Sequence, residues 1–97
     1  MLHIVNKSPY TKSSLESCIR VAQKDDPILL IEDAVLAAHA SGKASDIVRQ
    51  AQGSHKIFAL DADLKARGID KLADGVQVVD YAGFVDLVEQ HRPMSWL

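Results

Sequence analysis

The four residues Ile28-Leu29-Leu30-Ile31 form an unbroken apolar run that is too short to be a helix. A continuous apolar run of this length, without polar alternation, is typical of a strand that is buried on both faces. Strands of that kind belong to parallel sheets that helices cover on either side. The run therefore predicts a strand in the interior of a parallel sheet.

Three further short apolar runs accompany this one along the chain. They are Leu2 to Val5, Ile57 to Leu60 and Val76 to Val79. The last of them is nearly continuous as well, which predicts another strand buried on both faces. The first two intervals between successive runs have room for a crossover helix, and the third has room for a short one. This alternation predicts a three-layer α/β fold of flavodoxin-like or Rossmann-like topology, with a small, mainly parallel sheet of about four strands flanked by helices. Residues 1–97 are expected to form one domain, because a chain of this length supports a single core.

The helices predicted between the strands have recognisable starts. Ser13 and Glu16 have the spacing of a capping box, in which each side chain bonds the backbone N–H of the other residue. An apolar stripe at helical spacing follows, formed by Leu15, Cys18, Ile19 and Ala22. The later helices are expected to be capped by side-chain oxygens. The candidate caps are Asp33, Ser45 or Asp46, Asp61 or Asp63, and Asp80.

Acidic residues follow three of the four predicted strands, at the edge of a parallel sheet where ligands usually bind. Helix capping is the interpretation that we prefer for these carboxylates. A magnesium site like that of receiver domains is the alternative, although the sequence shows no basic partner for it. The turns contain no glycine-rich loop through which backbone amides could approach a phosphate, so nucleotide binding is not expected.

The composition is that of an ordinary globular protein, with 47% hydrophobic and 25% charged residues. Such a mixture excludes a disordered tail or a fibrous protein. The net charge of -2 gives no electrostatic reason to expect nucleic-acid binding. No apolar run is long enough to span a membrane and no basic-then-apolar leader opens the chain, so the expected compartment is the cytoplasm.

Cys18 is the single cysteine of the chain, and two interpretations of it stay open. Because it lies on an apolar stripe, where free cysteine is a common filler, spacing alone favours a buried core residue. The alternative is a reactive thiolate that nearby cations stabilise. Lys7 and Lys12 give the first loop its positive charge, and Arg20 follows on the same helix. For these lysines, the sequence alone favours a solvated loop over an anion site.

The C-terminal tail carries an apolar cluster of Met94, Trp96 and Leu97. Leaving these side chains in water is costly, so the tail either folds back on the domain or contacts another chain, and we favour the second. A sheet this small also leaves its edges and one face poorly covered. Oligomerisation is therefore expected on physical grounds.

Several short motifs occur in order over nearly the whole chain. They are Met1 to Pro9, Leu29 to Val35, Asp63 to Gly68, Asp80-Tyr81 with Phe84-Val85, and the tryptophan close to the C-terminus. Together these motifs resemble the TusB/DsrH family, although Ala34 stands where glycine is more frequent. The resemblance implies a small α/β fold of the sulfur-relay type.

The resemblance also implies a cytoplasmic complex in which persulfide sulfur passes between protein cysteines. The partners would be two related DsrE/F- or TusC/D-like subunits in a heterohexamer, and a downstream acceptor of the DsrC/TusE type. No direct contact with nucleic acid or membrane is implied, and no metal or organic cofactor is needed because sulfur itself is the cargo. The TusB branch serves 2-thiolation of the wobble uridine in tRNA and the DsrH branch serves sulfur oxidation, and both remain open.

The stretch Ser14-Leu15-Glu16-Ser17-Cys18 resembles the part of DsrH-like chains that carries a cysteine in the first helix. Cys18 is therefore implied as a candidate persulfide carrier, and this stretch leans to the DsrH branch. The main sulfur acceptor of such complexes lies on a different subunit, so this chain is not expected to be a self-sufficient catalyst. The alternative is a non-catalytic structural subunit with Cys18 in the core.

Overall fold

The structure, a computed structural model, describes residues 1–96 and contains one sheet of five parallel strands. The strands are β1 Leu2–Val5, β2 Ile28–Leu30, β3 Ile57–Leu60, β4 Gln77–Val79 and β5 Pro93–Trp96. Their order across the sheet is β4-β3-β2-β1-β5. The predicted α/β class is confirmed, and the first four strands lie within about one residue of their predicted bounds.

Helices connect the parallel strands, as crossover connections require. They are α1 Ser14–Val21, a 3₁₀ helix Glu32–Ala38, α2 Ser45–Ala51, α3 Asp61–Ala66 and α4 Tyr81–Gln90. Across residues 1–96, no helix is long and apolar enough to cross a membrane.

The fifth strand, which the sequence analysis did not predict, is formed by the C-terminal tail. β5 pairs in parallel with β1, from Leu2 opposite Pro93 to Val5 opposite Trp96. As an outermost strand, β5 tolerates a proline that has no N–H to donate. The tail therefore folds back on its own chain over residues 93–96, which is the alternative that the sequence analysis did not favour. Contact of this edge strand with another chain stays a prediction. Leu97 lies outside the described residues.

Two apolar clusters fill the spaces above and below the sheet, because alternate side chains of each strand point to opposite faces. The first cluster joins α1, the 3₁₀ helix, α2 and α3 to the strand residues Val5, Ile28, Leu30, Ile57 and Ala59. The second cluster joins α4 to the strand residues Leu2, Ile4, Leu29, Phe58 and Val79. Among the described residues, α4 is the one helix that packs in the second cluster. The two helical layers are thus unequal in extent.

Helix capping is where the structure departs most from the prediction. Ser13 is the N-cap residue of α1, but its side chain makes no capping hydrogen bond, so the predicted capping box is wrong. The N-cap residues of the 3₁₀ helix, α2 and α3 are Ile31, Ala44 and Leu60, which have no side-chain oxygen. The predicted caps lie inside the first helical turn instead, where a carboxylate still favours the helix dipole. They are Asp33, Ser45, Asp46, Asp61 and Asp63.

Asp80 is the predicted cap that the structure confirms. Its Oδ1 accepts a hydrogen bond from the Gly83 backbone N–H at 2.8 Å. The bond satisfies one of the N–H groups that the first turn of a helix leaves without a partner. Asp80 therefore fixes the start of α4, the helix that covers the second face of the sheet.

We expect the substitution Asp80→Ala to lower the free energy of unfolding by about 1 kcal/mol, because it removes this acceptor. Asp46→Ala is the matched control, since it removes an exposed carboxylate from the first turn of α2 that caps nothing. Its expected loss is below about 0.5 kcal/mol. Urea unfolding followed by circular dichroism measures both values, and equal losses would contradict the capping role of Asp80.

Candidate functional site

Cys18, the residue that the sequence analysis singled out, lies in α1 with its side chain directed into the protein. It is 0% exposed and belongs to the first apolar cluster together with Leu15 and Val5. Leu15 and Cys18 share the inner face of α1 because residues three apart lie on the same side of a helix. The thiol is therefore a core group in the folded chain.

The surroundings of Cys18 hold the thiol in its protonated form. Burial raises the pKa of Cys18 from 9.0 to about 12, and the negative charge of Asp26 acts in the same direction. A thiolate is the form that attacks sulfur. The shift is thus opposite to the effect that the reactive interpretation assigned to Lys7, Lys12 or Arg20.

The cations of the first loop and of α1 lie at the surface. Arg20 donates to Ser17 Oγ at 3.2 Å, and Lys7 and Lys12 are exposed. A backbone hydrogen bond stabilises the turn of this loop, in which the Lys12 N–H donates to the Ser8 carbonyl at 3.1 Å. This arrangement matches the interpretation of the lysines as part of a solvated loop.

A polar network around the buried His3, which the sequence analysis did not predict, connects β1, β5 and the segment before β2. His3, which is 2% exposed, contacts Asp26 Oδ2 through Nε2 at 3.0 Å and Trp96 Nε1 through Nδ1 at 3.1 Å. Because an indole N–H can only donate, Nδ1 of His3 accepts, and the neutral ring carries its hydrogen on Nε2 and donates it to Asp26. Both ring nitrogens of the buried histidine are thereby satisfied.

Asp26 is the charged centre of this network. Its Oδ2 also accepts from the Gln23 backbone N–H at 3.0 Å, and its Oδ1 accepts from the Met1 amino group at 3.2 Å. The hydrogen bond from His3, with smaller effects from Gln23 and Met1, lowers the pKa of Asp26 although burial opposes the shift. Asp26 is therefore held as a carboxylate, and that charge disfavours a second anion at Cys18.

The acidic residues after β2 and β3 form hydrogen bonds between the two segments and with one arginine. Asp63 Oδ2 accepts from the Glu32 backbone N–H at 2.8 Å. Arg67 donates from Nε and Nη2 to Asp33 Oδ1 at 3.0 and 2.9 Å. No group of three or more His, Cys, Asp or Glu side chains within residues 1–96 is placed to hold a metal ion. These carboxylates therefore join the 3₁₀ helix to α3, and the geometry does not favour the magnesium alternative.

Asn6 follows β1 at the point where the order of the strands reverses, with β2 on one side and β5 on the other. Open parallel sheets usually bind ligands at such a point. Among residues 1–96, Asn6 Oδ1 is a buried oxygen with no hydrogen-bond partner. Neither core packing nor the polar network accounts for this oxygen.

A cavity of about 520 Å³ lies at the opposite end of the sheet, beside the amino ends of β2 and β3. Pro27, His55, Phe58 and His91 are among its lining residues. None of the residues that the sequence analysis proposed for a function lines it. The cavity and Cys18 are therefore separate features.

Sequence reasoning missed the network around His3 for a physical reason. The partners of His3 lie 23 and 93 residues away along the chain, so no local pattern reveals them. One signal was available, namely a histidine inside an otherwise apolar strand, because a buried imidazole requires polar partners.

These features define a small α/β protein with a five-stranded parallel sheet and a buried cysteine. The family model described as "DsrH like protein" matches residues 7–94. The chain therefore belongs to the TusB/DsrH family, whose members are subunits of sulfur-relay complexes.

Relatives match this chain over nearly its whole length. Protein TusB of Enterobacter sp. (strain 638) is 37% identical over 98 residues, which cover 99% of this chain and 100% of that protein. Protein TusB of Serratia proteamaculans (strain 568) is 36% identical with the same coverage. Protein TusB of Yersinia pestis (strain Pestoides F) is 33% identical, again over 99% of this chain and 100% of the relative.

Solved structures share the fold at lower sequence identity. The YchN protein from E. coli superposes with a TM-score of 0.76 at 21% identity and covers 97% of both chains. MTH1491 from Methanobacterium thermoautotrophicum, a protein of unknown function, superposes with a TM-score of 0.74 at 20% identity, over 97% of this chain and 95% of the other. These similarities concern the fold alone.

The lowered pKa of Asp26 makes folding stability depend on pH in the acid range. The carboxylate contributes its full stabilisation above its unfolded-state pKa of about 3.9, and this contribution is lost as the pH falls through the lower pKa of the folded chain. We therefore expect Asp26→Asn to lose less stability than the wild type between about pH 5 and pH 3.

Urea unfolding at several pH values measures this difference. Asp25→Asn is the control, because it removes a charge from the neighbouring residue while keeping a side chain that tolerates the positive φ of 73°. If the wild type and Asp26→Asn lost stability equally steeply with falling pH, the stabilised carboxylate would be contradicted.

We expect Cys18 to react with thiol reagents about a thousandfold more slowly in the folded chain than in the unfolded chain. A pKa raised from 9.0 to about 12 lowers the thiolate fraction by about that factor. The rate of labelling in native buffer and in denaturant gives the ratio, and Cys18→Ser supplies the background because the chain has one cysteine. A native rate close to the denatured rate would show that the thiol is accessible.

Proposed function

We propose that this chain is a non-catalytic structural subunit of a cytoplasmic sulfur-relay complex, in which persulfide sulfur passes between cysteines of other subunits. The observation that carries the structural role is the burial of Cys18, which is 0% exposed and has a raised pKa. Persulfide transfer requires a thiolate in contact with the donor sulfur. A protonated thiol inside the core meets neither requirement.

The pathway that we propose is 2-thiolation of the wobble uridine in tRNA. Whole-chain relatives from Enterobacter, Serratia and Yersinia are TusB proteins at 33% to 37% identity, and TusB belongs to the tRNA branch of the family. The DsrH branch, toward which the Ser14 to Cys18 stretch leans, shares its name with the family model. We propose the tRNA branch because these whole-chain relatives are TusB proteins.

The partners that we propose are two related TusC/D- or DsrE/F-like subunits in a heterohexamer, and a downstream sulfur acceptor of the TusE/DsrC type. Family membership supports this assembly. The thin helical layer on the second face of the sheet, which consists of α4, supports it independently. The net charge of -2 agrees with a subunit that does not itself contact tRNA.

A second candidate function is the transfer of sulfur by Cys18, which the resemblance of Ser14-Leu15-Glu16-Ser17-Cys18 to DsrH-like chains favours. The Cys18 thiolate would attack the terminal sulfur of a partner cysteine persulfide. The sulfur–sulfur bond of the donor would break, the donor cysteine would leave as a thiolate, and Cys18 would become the persulfide. This step requires α1 to move so that the thiol reaches solvent and loses its proton.

Deletion of the gene in its own organism, followed by complementation, tests the proposed function. We expect deletion to lower the 2-thiouridine content of tRNA, and we expect the wild type and Cys18→Ala to restore it equally. Mass spectrometry of digested tRNA measures the modified nucleoside. Quantifying each variant in the purified complex controls for failed assembly.

Two outcomes would contradict parts of the proposal. Unchanged 2-thiouridine after deletion would overturn the tRNA pathway. If Cys18→Ala assembled normally but failed to restore thiolation, the carrier role of Cys18 would replace the structural role. An added sulfur atom on the wild-type chain, but not on Cys18→Ala, in intact-mass spectra after loading with a sulfur donor would point to the same conclusion.

A further inference from the structure

The outer face of α4 carries an exposed apolar stripe bordered by acid. Tyr81 and Val85, one turn apart, are 65% and 53% exposed. Glu89 follows at the same spacing, and Asp86 lies beside the stripe, because residues four apart share a helix face. The inner face of the same helix uses Phe84, Leu87 and Val88 to cover the sheet. The helix therefore presents apolar side chains on two sides.

The edge of the sheet lies near the start of this helix, but Val79 packs beneath α4, so its neighbour Val78 points to the other face of the sheet. β4 is an outermost strand, and Val78 on it is 48% exposed. A shallow depression between the end of β4 and the start of α4 is lined by Asp61, Val78, Val79, Asp80 and Gly83. We call the surface formed by Tyr81, Val85, Asp86 and Glu89 the α4 surface.

The carboxylates of the α4 surface form no ion pair with the rest of residues 1–96. Residues 73–90 contain four acidic residues and no lysine or arginine. Elsewhere acidic residues pair within their own helix, as Asp46 does with Arg49 and Asp61 with Lys65. No ion pair of Asp86 or Glu89 occurs within residues 1–96. An exposed apolar stripe with a border of unpaired carboxylates is complementary to an apolar surface bordered by lysine or arginine.

The same border argues against a second copy of this chain on the same surface. A symmetric contact places each surface against itself, so the carboxylates of both copies would face one another. Like charges brought together in this way disfavour association. The complementary occupant is therefore a different chain with the opposite charge.

We propose that the α4 surface binds a partner subunit of the relay complex through an apolar patch that lysine or arginine side chains surround. This inference rests on the proposed function, since it assigns a location and a chemistry to one of the contacts of that complex. The partner would cover Tyr81 and Val85 and bring its cations to Asp86 and Glu89. It would complete the thin helical layer on the second face of the sheet.

The test is assembly of this chain with the two related subunits of its own organism, produced together and examined by size-exclusion chromatography and native mass spectrometry. We expect Val85→Glu to weaken its incorporation by roughly tenfold or more, because it places a third carboxylate on the stripe among apolar contacts. Val21→Glu is the matched control, since Val21 is 63% exposed on α1, in the layer on the other side of the sheet. This control is expected to assemble as the wild type does.

Charge exchange provides a second variant that does not alter the apolar stripe. We expect Asp86→Lys combined with Glu89→Lys to weaken incorporation as well, and we expect the wild-type complex to weaken as salt is raised from about 0.1 M to about 1 M. The circular dichroism spectrum and urea midpoint of each free variant show that it is folded.

The outcomes separate this inference from the proposed function. If Val85→Glu and the charge-exchanged variant are folded and still assemble as the wild type does, the location is overturned while the proposed function stands. Self-association of the wild-type chain that Val85→Glu abolishes would overturn the choice of a different subunit as the occupant. A wild-type chain that assembles with neither related subunit would overturn the proposed function and this inference together.

Discussion

Burial of β1 and β2 on both faces is the constraint on which the rest of the structure depends. Every residue of these two strands is buried, and a strand with two buried faces requires a layer of helices on each side. The chain supplies α1, α2, α3 and the 3₁₀ helix to one layer, but it supplies α4 to the other. The first layer closes the core, whereas within residues 1–96 the second consists of one helix, whose outer face exposes Tyr81 and Val85. The unequal cover of the sheet thus follows from this division of the helices between its two faces.

The same burial determines the chemistry of the polar groups near the core. His3 can stay inside the sheet because Asp26 and Trp96 satisfy both of its ring nitrogens. Asp26 stays ionised because it accepts from His3, Gln23 and Met1. No comparable donor reaches the Cys18 thiol from the described part of the chain, residues 1–96, and its pKa is raised by burial and by the charge of Asp26. One carboxylate therefore stabilises the polar network and at the same time disfavours a thiolate in the neighbouring core.

The parts of this fold that could be predicted from the sequence are those that depend on local burial patterns. The runs beginning at Leu2, Ile28 and Ile57 predicted their strands because buried strands are short, mainly apolar segments. The run Val76 to Val79 predicted β4 as well, but β4 is an edge strand and largely exposed, so the prediction that it is buried on both faces is wrong. β5 was missed because Pro93-Met94-Ser95-Trp96 is neither continuous nor free of proline, and its pairing with β1 spans most of the chain. Capping was mispredicted because a suitable residue near a helix start can sit inside the first turn, as Asp61 does. At the candidate site, the apolar stripe of α1 predicted that Cys18 points into the core. The effect of Asp26 on the pKa of Cys18 could not be predicted from the sequence.

Assembly at the α4 surface would not by itself change the surroundings of Cys18. α4 packs in the second apolar cluster, whereas Cys18 lies in the first, on the other side of the sheet. A partner that covered Tyr81 and Val85 would therefore leave both the burial of the thiol and the charge of Asp26 in place. A carrier role for Cys18 would require a separate event that moves α1, at the cost of exposing core residues such as Leu15 that share its inner face. For this reason a structural subunit is physically simpler than a carrier: it needs the sheet and its unequal layers as they stand, and no rearrangement of the core.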